Sequence, residues 1–191
     1  MALTYDHTAI VDGTIPTAAE PLLQHALVTY ASETNKVVSV WREFRDEDLA
    51  FRPHPRASTV GDILKHQLLS ERRFFAEFLG LPEPAASDVL PAALTVATAI
   101  DRLVALARPR LSFLADQRAD WWTTRVQFFD VERERIWVFW RRVLHTAHHR
   151  TQLGVYLRVM GRRVPAMYGP TADVSWSGAD PTSSVGAAAR R

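Results

Sequence analysis

The densest chemistry in this 191-residue sequence is the run His145-Thr146-Ala147-His148-His149-Arg150. On a helix of 3.6 residues per turn, His145 and His149 lie one turn apart and about 40° apart around the axis, so their imidazoles can converge on one ion. His148 projects about 100° away from His149 and is assigned to a flank, a hydrogen bond or solvent. An i, i+4 histidine pair alone is equally compatible with two rings that merely hydrogen-bond. A third histidine, His66, shifts the balance, because it lies one or two turns into a second helical segment able to pack beside the first. Three neutral imidazoles suit Zn, Ni, Fe or Mn and leave coordination positions open for water or substrate.

The same rotation argument places Gln152 and Tyr156 on the His145/His149 stripe, and Asp62, Ser70 and Arg73 near the stripe of His66. All five are candidates for orienting a ligand or touching a substrate. Each has an ordinary reading as well: Gln152 and Tyr156 satisfying one another, Asp62 capping its helix, Arg73 solvated. His7, His25 and His54 sit in a tail, a first helix and a Pro-rich loop and read as surface residues. Arg150 is expected on a flank of the bundle. Trp41, Trp137 and Trp140 are at helical spacing and read as core, while Trp121, Trp122 and Trp176 fall outside the helices and are expected to close one end.

Four helical segments must position these groups. The first runs from about Pro21 to Phe44, with Leu23, Leu27, Tyr30, Thr34, Val37, Trp41 and Phe44 spaced by three and four. Thr59 with Asp62 forms a capping-box start for a second, reaching about Leu79 before Gly80 and Pro82. A third is expected from near Pro91, with Pro109 imposing a kink or a break. Residues Trp121 to Val131 read as a strand or ordered loop rather than a further helix. The last helix, from about Glu134 to Met160, is apolar on most sides and ends at Gly161. These elements predict an all-α, antiparallel four-helix bundle crossing at roughly 20°, one domain over residues 1–176, with a small, polar and disordered tail at 177–191.

Composition narrows the function. Lys+Arg of 23 against Asp+Glu of 21 gives a net charge of +2, which does not point to nucleic acid. Zero cysteines exclude disulfides, thiolate ligands and a cysteine nucleophile. With 47% apolar residues a sizeable core is available, yet no run approaches the ~20 apolar residues that span a bilayer, and the first residues lack the layout of a secretion signal. A cytoplasmic protein, without membrane or nucleic-acid partners, is expected.

The segments RPHPRASTVGDILKHQLLSERRFF and HTAHHRTQ, with the tail YGPTADVSW, resemble the DinB/YfiT-like metalloenzyme family, the second through its His-x-x-x-His-Arg-Gly-Gln signature. Thr151 stands where that family often has glycine. The resemblance covers roughly residues 20 to 176. It implies His66, His145 and His149 as ligands of one divalent metal, Gln152 as their frequent companion, and a homodimer. It also implies a thiol-dependent S-transferase, in which a low-molecular-weight thiol such as bacillithiol, mycothiol or glutathione is delivered to a small electrophile. A metal-dependent hydrolase using the same ligands, and a non-catalytic metal-binding dimeric module whose site is closed by a carboxylate such as Asp62, are the alternatives.

Overall fold

The computed structural model describes residues 8–169 and 171–174. The expectations for His7, for Trp176 and for a tail at 177–191 fall outside those residues. Within them lie α1 (Gln24–Trp41), α2 (Val60–Arg73), α3 (Val96–Ala115), α4 (Ala119–Thr123), the strands β1 (Arg125–Phe128) and β2 (Val131–Glu134), and α5 (Arg135–Val159). The fold is mostly helical, and the one sheet among the described residues is the antiparallel β1–β2 hairpin, in which Arg125 pairs with Glu134 and Phe128 with Val131. No helix among the described residues is long and apolar enough to cross a membrane.

Local chemistry sets the helix ends. At α2 the Thr59 hydroxyl accepts from the Asp62 amide (3.1 Å) and the Asp62 carboxylate accepts from the Thr59 amide (3.2 Å), which satisfies two donors a bare N-terminus would leave open. Helix α3 starts five residues later than Pro91 for a related reason. Thr95 and Thr98 form a reciprocal cap, and Asp46, from the connection after α1, accepts the Val96 amide at 2.7 Å. That set of bonds outweighs the preference of proline for a first turn. Pro109 does not break α3, because it lies on the exposed face together with Ala105, whose carbonyl loses its partner where water can replace it. At its far end α2 widens into a π-helical turn over Phe74–Phe78, closed by the Leu79 amide on the Phe74 carbonyl (3.1 Å). The stretch expected to be extended, Trp121 to Val131, begins inside the short helix α4 and continues as the hairpin.

Helix α1 packs on α3 and α5, and α2 packs on the same two. Side-chain pairs fix the directions. Tyr30 meets Arg110 while Asp46 meets Val96, so α1 and α3 are antiparallel; Ser70 meets Arg142 while Ser58 meets Tyr156, so α2 and α5 are antiparallel as well. Glu71 meets Arg110 while Gly61 approaches Leu94, so α2 and α3 run parallel. The chain therefore goes up, down, down and up, and only two of the four neighbouring pairs are antiparallel. Two parallel helices consecutive in sequence need a return connection along their length, here residues 79–95. Glu83 on that connection receives Arg110 through Nε at 2.6 Å and Nη2 at 2.7 Å, with both side chains almost wholly buried.

Two apolar clusters fill the ends. One gathers Leu27, Phe75, Leu111 and Phe139; the other gathers Trp41, Leu64, Leu103 and Leu157. Between them lies a belt of buried polar side chains that includes Glu33, Lys36, Glu71, Arg110, Arg142 and Arg150. Arg150 is not on a flank: it is fully buried and ion-paired with Glu33. Trp41 and Trp122 are core, whereas Trp137 is 43% exposed and Trp140 is half-buried, stacked on the exposed His25. Trp137 instead packs against Phe128, on the hairpin.

Removing one partner of a buried ion pair leaves an uncompensated charge in a medium of low dielectric. Glu83→Ala leaves Arg110 with Glu71 alone, 3.3 Å away, and is expected to destabilise the fold by about 3 kcal/mol. Urea denaturation of the variant checks this; a loss under about 1 kcal/mol would show that the latch is dispensable.

Candidate metal centre

His66 on α2 faces His145 and His149 on α5. Its ring centroid lies 5.3 Å from that of His145 and 4.7 Å from that of His149, and the two α5 rings are 4.6 Å apart. One ring nitrogen from each of the three lies within 4.8 Å of the others. No carboxylate joins this group among the described residues. His148 is exposed, beside His149 but turned out of the cluster.

Each ring is held differently. His149 uses Nδ1 against the Gln152 carbonyl oxygen at 3.0 Å; the Gln152 amide donates to the Tyr156 hydroxyl at 3.3 Å, which donates to the Ser58 carbonyl at 3.0 Å. This relay keeps the His149 proton on Nδ1 and leaves Nε2 bare, the arrangement that a ligating histidine needs. His145 is backed by a donor instead. The Arg142 guanidinium donates to its Nδ1 at 2.9 Å, which assigns the proton of the neutral ring to Nε2, facing His66 Nε2 at 3.5 Å. A cation entering between the rings binds His145 in the other tautomer, with the proton on Nδ1, so uptake requires the Arg142 contact to shift.

Electrostatics keep the rings neutral. Burial pushes His145 down to about 3, helped by the charge of Arg142 and by the other two rings. Burial also lowers His66, with Arg142 adding to the effect, and lowers His149 despite the opposing hydrogen bond that it donates to Gln152. Neutral imidazole is the ligating form, so the donor set fits a divalent metal.

The cluster opens into a cleft of about 580 Å³. His66, Ser70 and Arg73 from α2 and Arg141 and His145 from α5 line its polar side; Phe74 on the π turn and Phe128 and Phe129 on the hairpin line its apolar side. Of the residues singled out from sequence, Ser70 and Arg73 reach the cleft, Gln152 touches His149, and Tyr156 backs Gln152. Asp62 stays in the cap of α2 and does not line the cleft. Arg141, Arg142, Phe128 and Phe129 escaped sequence reasoning. The two arginines lie three and four residues before His145, a helical spacing that would have found them; the phenylalanines reach the cleft only through the hairpin, which carries no such signal.

The profile of the DinB family matches residues 18–177. The chain belongs to the DinB family. Two solved structures share the fold: a DinB-like protein from Bacillus cereus (TM-score 0.67, 22% identity, covering 76% of this chain and 97% of that one) and a DinB-like protein from Bacillus subtilis (TM-score 0.61, 17% identity, 75% and 96%). No curated protein sequence matches the chain. In this family member the helices place residues from distant segments side by side: His66 and His145 are 79 positions apart.

Two outcomes follow from this geometry. Gln152→Leu removes the acceptor that orients His149 and should weaken zinc binding about 10- to 100-fold in calorimetric titration, with an unchanged affinity ruling out the orienting role. In the metal-free protein the three rings resist protonation while the unfolded chain titrates near 6.5. Their contribution to stability is then complete above pH 6.5 and is lost as pH falls from there toward about 3. Urea midpoints measured between pH 7.5 and 4 should fall more steeply for the wild type than for His145→Gln; parallel curves would contradict the assignment.

Proposed function

We propose that this DinB-family chain binds one divalent transition metal through His66, His145 and His149 and uses it to transfer a low-molecular-weight thiol to a small electrophile. The observation that carries the reading is a three-imidazole cluster opening into a cleft whose lining holds neither a carboxylate nor, in a chain without cysteine, a thiol. A divalent cation held there supplies Lewis-acid charge that lowers the pKa of a thiol at the same position. The protein's share is binding and orientation. Gln152 and Tyr156 fix His149, Arg142 fixes His145, and Ser70, Arg73 and Arg141 offer donors to the substrate. A metal-dependent hydrolase is the runner-up, but the lining offers no carboxylate to take a proton from water. A structural metal would favour a closed site, and Asp62, the residue able to close it, is committed to the cap of α2.

We further read the four long helices as a bundle that pairs with a second copy of itself in the cytoplasm. Trp137, Leu144, Val155 and Val159 share one stripe of α5 and are 43%, 64%, 56% and 60% exposed. An isologous contact along this stripe would cover all four. Sedimentation should give twice the chain mass of 21.6 kDa, and Leu144→Glu should return the protein to a monomer; a wild-type monomer at micromolar concentration would refute the assembly.

For the reaction, the Zn, Ni and Mn forms are incubated with a panel of low-molecular-weight thiols and a generic electrophile. The expected result is a metal-dependent consumption of thiol that His149→Ala lowers at least about 100-fold. If no thiol supports a rate that this variant loses, the transferase reading fails.

A further inference from the structure

Arg73 and Arg141 line the cleft and no carboxylate does; Arg73 is paired with Glu77 at 2.9 Å, whereas Arg141 has no ion-pair partner among the described residues. Beneath the floor, Arg142 is buried to 1% exposure and also lacks an ion pair there, its guanidinium being spent on Ser70, His145 and the Gln67 carbonyl. The nearest buried acid, Glu71, is engaged by Arg110. With no carboxylate in contact and the field of Glu71 shared with Arg110, Arg142 adds positive potential at the floor of the cleft. Ser70 transmits this directly: its oxygen accepts from Arg142 at 3.0 Å, which leaves its own hydroxyl hydrogen to donate.

The rest of the lining is mainly aromatic. Phe74 is buried under it, and Phe128 and Phe129 come from the hairpin. Phe129 is 55% exposed and sits at φ 54°, in the left-handed region where a bulky side chain is strained. Glycine or asparagine is the commoner residue at such a position. Holding a large exposed ring there costs about 1 kcal/mol or more; the ring packs on Phe78 and Phe128, lies under the Arg73 guanidinium at 5.2 Å and lines the cleft.

We propose that the cleft selects an organic anion with a flat apolar body: its carboxylate, sulfonate or phosphate head is taken by Ser70 and Arg141, and its body lies against Phe74, Phe128 and Phe129. This deepens the functional reading above, resting on its premise that the substrate occupies the cleft over the histidines. It names Arg141 as the specificity-determining residue and Phe129 as the wall. Cationic molecules of the same shape are rejected by the charges of Arg141 and Arg142, and neutral ones bind more weakly for want of a charged head group.

The test uses three isosteric probes, 2-naphthoate, 2-naphthamide and 2-naphthylmethylamine, titrated calorimetrically into the zinc-loaded full chain and again after removal of metal by a chelator. The expected result is that naphthoate binds at least about tenfold tighter than naphthamide, that naphthylmethylamine does not bind measurably, and that the naphthoate preference survives chelation. Arg141→Gln should abolish the preference while leaving naphthamide unchanged, Arg141→Lys should restore part of it, and Phe129→Ala should weaken both probes alike. Equal binding of the three probes, or a preference indifferent to Arg141→Gln, overturns the proposal. A preference that exists only with zinc and ignores Arg141→Gln overturns it too, while leaving the metal reading intact. A preference that depends on Arg141 in a protein that binds no zinc supports it, and the metal reading alone then fails.

Discussion

The guanidinium of Arg142 is the contact on which both fold and site depend. It is a buried charge without a carboxylate, tolerated because its N–H groups reach the Ser70 hydroxyl, the Gln67 carbonyl and a ring nitrogen of His145. The first two tie α5 to α2 at one height, and the third sets the ring that faces His66. Desolvation weighs against the charged form of Arg142, whose pKa is lowered accordingly, while the field of Glu71 opposes that shift. One side chain thus fixes the register of the two helices that carry the histidines, holds those histidines neutral and charges the cleft above them.

The charged belt also explains why the core is divided. A continuous apolar interior from Leu27 to Leu157 would need no particular register between helices, since apolar contacts are non-directional. Glu33 with Arg150, and Arg110 with Glu71 and Glu83, fix that register, because a shift of one residue would leave buried charges unpaired. Tyr168, from the segment after α5, completes the arrangement by donating to Glu33 at 2.8 Å while its ring packs under the guanidinium of Arg150.

How much of this was legible in the sequence depended on the range of the interaction. The convergence of His145 with His149 follows from helix rotation, and the cap of α2 from four consecutive residues; both are local and both are seen. His66 entered only because a third imidazole made sense of the pair. The start of α3 was misplaced because its strongest cap comes from Asp46, 50 residues away. The burial of Arg150 was missed for a similar reason: its partner Glu33 lies 117 positions upstream, and an arginine is solvated unless a partner is known. Helix directions were misread because hydrophobic periodicity reports which face is buried and not which way the neighbour runs. The aromatic wall from Phe128 and Phe129 was hidden by a hairpin too short to show an alternating pattern.

The up-down-down-up threading has a consequence for how the chain reaches this state. In a simple up-and-down bundle each helix packs on the next, so local hairpins form first and the rest condenses on them. Here α1 has its main contacts with α3 and α5, and α2 meets its sequence neighbour α3 in parallel, across the return of residues 79–95, and otherwise packs on the distant α5. The pairs that define the native arrangement therefore close large loops, and their entropy must be lost before any burial rewards it. Folding should be slow for a helical protein of this size. An early pairing of α1 with its sequence neighbour α2 would be a trap, escaped only when α3 arrives to separate the two.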